Sequence, residues 1–114
     1  MNKKLHINVL KPSHEQLNNL LEFYQTEQYI DAEKLSLSIT EEFPKHPFAW
    51  KVLGAVLKQT GRISESLYAS QRSVQLEPKD ADAHNNLGVI FQALRKLVDA
   101  EASYTQAIIL KPDY

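Results

Sequence analysis

Trp50-Lys51-Val52-Leu53-Gly54-Ala55-Val56-Leu57 decides the fold, because it returns in altered form as His84-Asn85-Asn86-Leu87-Gly88-Val89-Ile90-Phe91. Each version sets a ring three residues before a Leu-Gly pair and a large apolar residue three after it. The offset is 34 residues, and three prolines keep the same measure: Phe43-Pro44-Lys45, Glu77-Pro78-Lys79 and Lys111-Pro112-Asp113. Self-similarity at a fixed period of this length marks a stacked repeat protein. Written in 34s from Ser13, Pro47 and Ala81, the chain aligns without gaps. The fourth position holds Gln16, Trp50 and His84, and the seventh and eighth hold Asn19-Leu20, Leu53-Gly54 and Leu87-Gly88. Phe23, Leu57 and Phe91 share the eleventh, and Ala32, Ser66 and Ala100 the twentieth. Ser36, Ser70 and Tyr104 share the twenty-fourth, and Ile39, Ser73 and Ala107 the twenty-seventh.

The spacing predicts two helices per repeat, for example over Ala49–Thr60 and Glu65–Leu76. Trp50, Leu53 and Leu57 recur at three- and four-residue steps, the period of one helix face. Gly54, Gly88, Ser66, Ser73, Ala100 and Ala107 are small, so paired antiparallel helices are expected to approach closely. Trp50, Phe91 and Tyr104 are expected to fill the remaining gaps. The boundaries agree with this layout. Ser13 followed by Gln16 fits a capping box, and Asp80 suits the N-cap before Ala81. Pro47 suits a first helical turn, and Gly61 a turn that needs positive φ.

The recurring Trp, Leu-Gly, aromatic, Ala, aromatic, Ala and Pro resemble the tetratricopeptide repeat (TPR). The resemblance spans residues 13–114, strongly in the second and third repeats and at about half the positions in the first. It implies an all-α protein of three stacked helix-turn-helix units, 13–46, 47–80 and 81–114, forming a right-handed α-solenoid. Residues 1–12 form a leader, flexible or loosely docked. Asn19-Leu20 replaces Leu-Gly, so the first helix is expected to pack less closely or at a shifted angle. Ser66, Ser70 and Ser73 leave the second repeat either loosely packed or filled by Tyr68.

By the same resemblance, the first helices of the repeats line a concave groove that binds a peptide or partner segment. The candidates are Leu17, Asn18, Leu21 and Tyr24 in the first repeat, Lys51 and Lys58 in the second, and Asn85, Asn86 and Gln92 in the third. The chaperone-tail clamp of some TPR proteins places Lys, Asn and Arg at the fifth and ninth positions. Here those positions hold Leu17, Leu21, Lys51, Ala55, Asn85 and Val89, which offer no converging cations. The repeats of O-linked N-acetylglucosamine transferases instead grip peptide backbone with asparagine at the sixth position, since an amide both donates and accepts. Asn18 and Asn86 match and Val52 does not; ordinary solvated helix residues are the alternative reading. The phrases Trp50–Gln59 and Ala83–Gly88 also resemble the leading repeats of large bacterial TPR proteins, which often continue into a glycosyltransferase or sulfotransferase domain.

Composition narrows the function further. A net charge of −1 argues against a dedicated nucleic-acid or anionic-membrane binder. The absence of cysteine excludes disulfides and thiolate chemistry. The apolar stretch Leu5–Leu10 is broken by His6 and Asn8 and falls short of a signal-peptide core, so a cytoplasmic location is expected. His14-Glu15 begins like a zinc-protease motif, but the second ligand position holds Asn18. No catalytic constellation, metal site or cofactor is expected. Leu94, Leu97, Tyr104 and Ile108 are candidates for an apolar face at the end of the array, covered either by further repeats or by a second copy in a homodimer.

Overall fold

A computed structural model describes residues 11–113, and among them the chain forms α-helices and no strand. These are α1 (His14–Gln25), α2 (Tyr29–Glu42), α3 (Pro47–Gln59), α4 (Ile63–Leu76), α5 (Ala81–Ala93) and α6 (Leu97–Leu110). The expected leader falls almost wholly outside the described residues. Helices α3 and α4 each begin two residues earlier than the apolar periodicity suggests. Pro47 opens α3 because its missing N–H would have no intrahelical acceptor there. No helix among the described residues is long and apolar enough to cross a membrane.

Each helix pair closes with the same turn. Arg62 N–H donates to Leu57 O at 2.8 Å and Gly61 N–H donates to Lys58 O at 3.0 Å. Gln28 and Glu27 repeat these bonds onto Phe23 and Tyr24, and Lys96 and Arg95 repeat them onto Phe91 and Gln92. This is a Schellman motif, which needs one left-handed residue. Gly61 supplies it at φ 85°, but its counterparts are Glu27 at 61° and Arg95 at 63°. Between pairs the chain makes a β-turn with proline at its second residue. His46 N–H donates to Phe43 O at 3.0 Å, and Asp80 N–H donates to Glu77 O at 3.2 Å. Both expected caps are formed. Ser13 and Gln16 exchange side-chain bonds to backbone N–H at 3.0 and 2.9 Å, and the Asp80 carboxylate accepts from Ala83 N–H at 3.2 Å.

The eighth position of the first helix governs how each pair packs. A Cβ added at Gly88 would lie 2.7 Å from the Tyr104 ring, so the missing side chain is what admits the tyrosine. At Gly54 an added Cβ would overlap the Ser70 hydroxyl and lie 3.2 Å from its backbone nitrogen. In the first pair the sizes are exchanged: Leu20 stands in the glycine's place, Ser36 in the tyrosine's, and both are fully buried. Leu20 thereby enters the core with Ala32, Ile39 and Phe43, joined by Ala49, Val52 and Val56 of α3. The pair α1–α2 is correspondingly in sparser contact than α3–α4 or α5–α6.

Gly54 opposite Ser70 is small against small, and the two approach closely. Tyr68 meets Trp50 edge-on with ring centroids 5.7 Å apart, yet the tyrosine stays 60% exposed. A cavity of about 340 Å³ remains on the α2–α4 side, walled by Leu37, Thr40, Trp50, Leu53, Leu57 and Tyr68. Tyr68 therefore covers the tryptophan without filling the second repeat. Trp50, Phe91 and Tyr104 are themselves only half-buried. Helices touch only within a pair or between adjacent pairs, giving an elongated body of 52 × 26 × 23 Å.

Candidate functional site

The first helices of the three pairs, α1, α3 and α5, lie side by side, and two cavities open between them. One, of about 220 Å³, is walled by Leu21 and Tyr24 of α1, Phe48, Lys51, Val52 and Ala55 of α3, and Asn86 of α5. The other, of about 80 Å³, is walled by Tyr24, Ala55, Lys58, Gln59, Asn86, Val89 and Ile90. Tyr24, Ala55 and Asn86 border both, so the two form one continuous groove across the array. Its floor is apolar, and its polar groups are the amides of Gln59 and Asn86, the Tyr24 phenol and the two lysines.

Of the nine residues expected there, the groove brings together Leu21, Tyr24, Lys51, Lys58 and Asn86. Leu17, Asn18, Asn85 and Gln92 do not line it. Gln92 turns to its own pair, where its side-chain oxygen accepts from the Tyr104 hydroxyl at 2.7 Å. The sixth position explains the fate of the asparagines. Asn86 lines both cavities, and Val52 walls the larger one beside Leu21 and Tyr24 of α1. Asn18 is exposed, because no described helix precedes α1 to make the other wall.

The two lysines differ in their engagement. Lys51 Nζ lies 2.9 Å from Asp80 Oδ2, so this carboxylate both caps α5 and holds a groove cation. Lys58 forms no ion pair among the described residues. Ile90, at the tenth position, also lines the groove; its fully buried side chain reads in sequence as core alone.

An array of paired helices with this groove defines the class: a helical-repeat solenoid. The family model described as tetratricopeptide repeat matches residues 81–114. Among solved structures, the first TPR of Spaghetti bound to an HSP90 peptide superposes with a TM-score of 0.84 at 16% identity, covering 94% of this chain and 87% of that one. An O-GlcNAc transferase mutant of Thermobaculum terrenum gives a TM-score of 0.83 at 24% identity, over 88% of this chain and 19% of that one. The fold is that of the TPR proteins. Among curated proteins, the O-mannosyl-transferase Tmtc3 of Drosophila melanogaster is 35% identical over 60 residues, 53% of this chain. The chain spans only 6% of that relative's length.

Proposed function

We propose that the chain is a protein-interaction scaffold whose α1–α3–α5 groove holds an extended peptide. The observation that carries this reading is the juxtaposition of Asn86 and Lys58 over an apolar floor made by Leu21, Tyr24, Ala55 and Val89. Asn86 offers a donor and an acceptor to peptide backbone, while the floor takes apolar side chains. Lys51 is held by Asp80, so the groove presents a single available lysine rather than a cluster for an acidic tail. The expected ligand is an apolar peptide with at most one carboxylate near Lys58. Panning a random peptide library on the immobilised chain tests this. Selected peptides should bind about fivefold more weakly to Asn86→Ala, from one lost hydrogen bond of about 1 kcal/mol. Peptides indifferent to both Asn86→Ala and Lys58→Ala would place binding elsewhere.

A second reading is favoured by the two glycosyltransferases among the similar proteins. In it the chain is an acceptor-recruiting segment of a larger transferase, and the catalytic chemistry resides in other sequence. An antibody against this chain distinguishes the two: a native band several times the 13.0 kDa mass favours the recruiting segment.

A further inference from the structure

The cavity of about 340 Å³ beside Trp50 shares no lining residue with the groove. It lies between two described helix pairs, so its walls belong to an inner junction of the array. Thr40, Leu53, Leu57 and Ala69 are buried and form its base. Leu37, Glu65 and Tyr68 are exposed and form its rim.

The core behind this cavity is short of members. Among the described residues, Leu53, Leu57 and Ala69 form a buried cluster against which Trp50 alone packs. The neighbouring cluster, around Leu20, Ile39 and Phe43, is joined by Phe23, Tyr24, Tyr29, Leu35 and Phe48. The eleventh position of the repeat contributes to the difference. It holds phenylalanine in the first and third repeats, at Phe23 and Phe91, and leucine at Leu57, which walls the cavity.

The walls define the chemistry of an occupant. Trp50 and Tyr68 stand at 82° to each other, a corner in which a flat ring can stack on one and meet the other edge-on. The charged groups beside it are already paired. Both Glu65 carboxylate oxygens accept from Arg62, at 2.9 and 3.2 Å. Arg72, over the Trp50 ring, donates to Pro44 O and to the Gln75 side chain. The Thr40 hydroxyl donates to Leu37 O at 3.1 Å. An ionic ligand would therefore lose its water without gaining a partner. Size sets the rest. An apolar cavity of roughly 150 Å³ takes benzene, so one of about 340 Å³ has room for two fused rings.

We propose that this cavity binds a neutral, planar two-ring aromatic molecule, which completes the core of the second repeat from the α2–α4 side.

Indole serves as the probe and Trp50 as the reporter, since it is the one tryptophan in the chain. In heteronuclear NMR spectra of the isotopically labelled full chain, the Trp50 N–H signal should shift and saturate with a Kd of about 1 mM, the range of a small fragment. Leu57→Phe places the ring of the other repeats at the cavity wall and should weaken binding tenfold or more. Tyr68→Ala, at an exposed position that leaves the helices intact, should weaken it severalfold and carries the test if Leu57→Phe fails to fold. Tryptamine and indole-3-acetate, the same ring bearing either charge, should bind at least fivefold more weakly than indole. Asn86→Ala should leave binding unchanged. The proposal is overturned by an absence of saturable shift, by indifference to Tyr68→Ala, by a charged analogue that binds as tightly as indole, or by loss with Asn86→Ala. It is overturned equally if the chain alone sediments as a dimer that Tyr68→Ala dissolves, which would assign the cavity to a second copy.

Discussion

The Trp50 indole N–H donates to the carbonyl oxygen of Pro44 at 2.8 Å, six residues earlier, and ties the inter-repeat turn to the helix that follows it. His84 makes the same link to Pro78 O, also at 2.8 Å, with Nε2 carrying the hydrogen. In the second and third repeats the fourth position thus holds a ring with an N–H on its rim, and tryptophan and histidine both make the link. Arg72 reinforces the first link, stacking 5.7 Å from the Trp50 ring and reaching Pro44 O at 3.3 Å.

Replacing His84 by phenylalanine keeps a ring and removes the donor. The expected loss is about 1 kcal/mol, the net worth of one hydrogen bond. Urea melts read it, and His84→Trp should recover most of the loss. Equal destabilisation by phenylalanine and tryptophan would show that ring size, not the N–H, matters.

Gly88→Ala drives a methyl into the Tyr104 ring. Overpacking of this kind costs about 1–3 kcal/mol, against a gain of about 1 kcal/mol in helix propensity. Pairing it with Tyr104→Ser copies the small partner that Ser36 gives Leu20. The double variant should melt above the sum of its single variants, and strict additivity of the melting shifts would contradict the contact.

Glu27 and Arg95 hold left-handed backbone without being glycine. Glu27→Gly and Arg95→Gly are each expected to stabilise by about 0.5–1 kcal/mol, because they remove the Cβ penalty. Gly61→Ala should go the other way. Thermal melts of the three variants compare them directly.

His46 carries the pH dependence. Burial of its ring, then the nearby Lys11 charge, hold its pKa below the ordinary 6.5. The unfolded chain therefore binds this proton more readily than the folded one. Its contribution to stability is complete above about 6.5 and declines as pH falls from there toward the depressed folded value. Melting temperature should drop between pH 7.5 and 5.5, and His46→Asn should flatten part of that slope.

Much of this architecture is legible in the sequence because the repeat converts local patterns into register. The proline spacing, the Ser13 and Asp80 caps and Gly61 each name a backbone event by its chemistry. Glu27 and Arg95 are silent on their own, and only their 34-residue distance from Gly61 exposes them. The groove was half legible for the same reason. Position within the repeat finds Tyr24, Lys58 and Asn86, but it does not reveal that Asp80 takes Lys51 or that Tyr104 takes Gln92. Those pairings join residues 29 and 12 apart, and depend on side-chain reach rather than on periodicity. Asn18 fits the pattern and still stands outside the groove, because a sixth-position side chain needs the first helix of a preceding repeat as its other wall.

The void beside Trp50 and Tyr68 has a mechanical consequence. A solenoid behaves as a spring whose turns deform by small slips between neighbouring helices. Where Gly88 admits Tyr104 the turn is stiff, since any slip drives ring atoms into backbone. Between α2 and α4 there is instead free volume and a side chain lying loosely across it. Slip between repeats is therefore expected to be easiest between the first two, which are also those that bring Leu21, Tyr24 and Lys51 together at the apolar end of the groove.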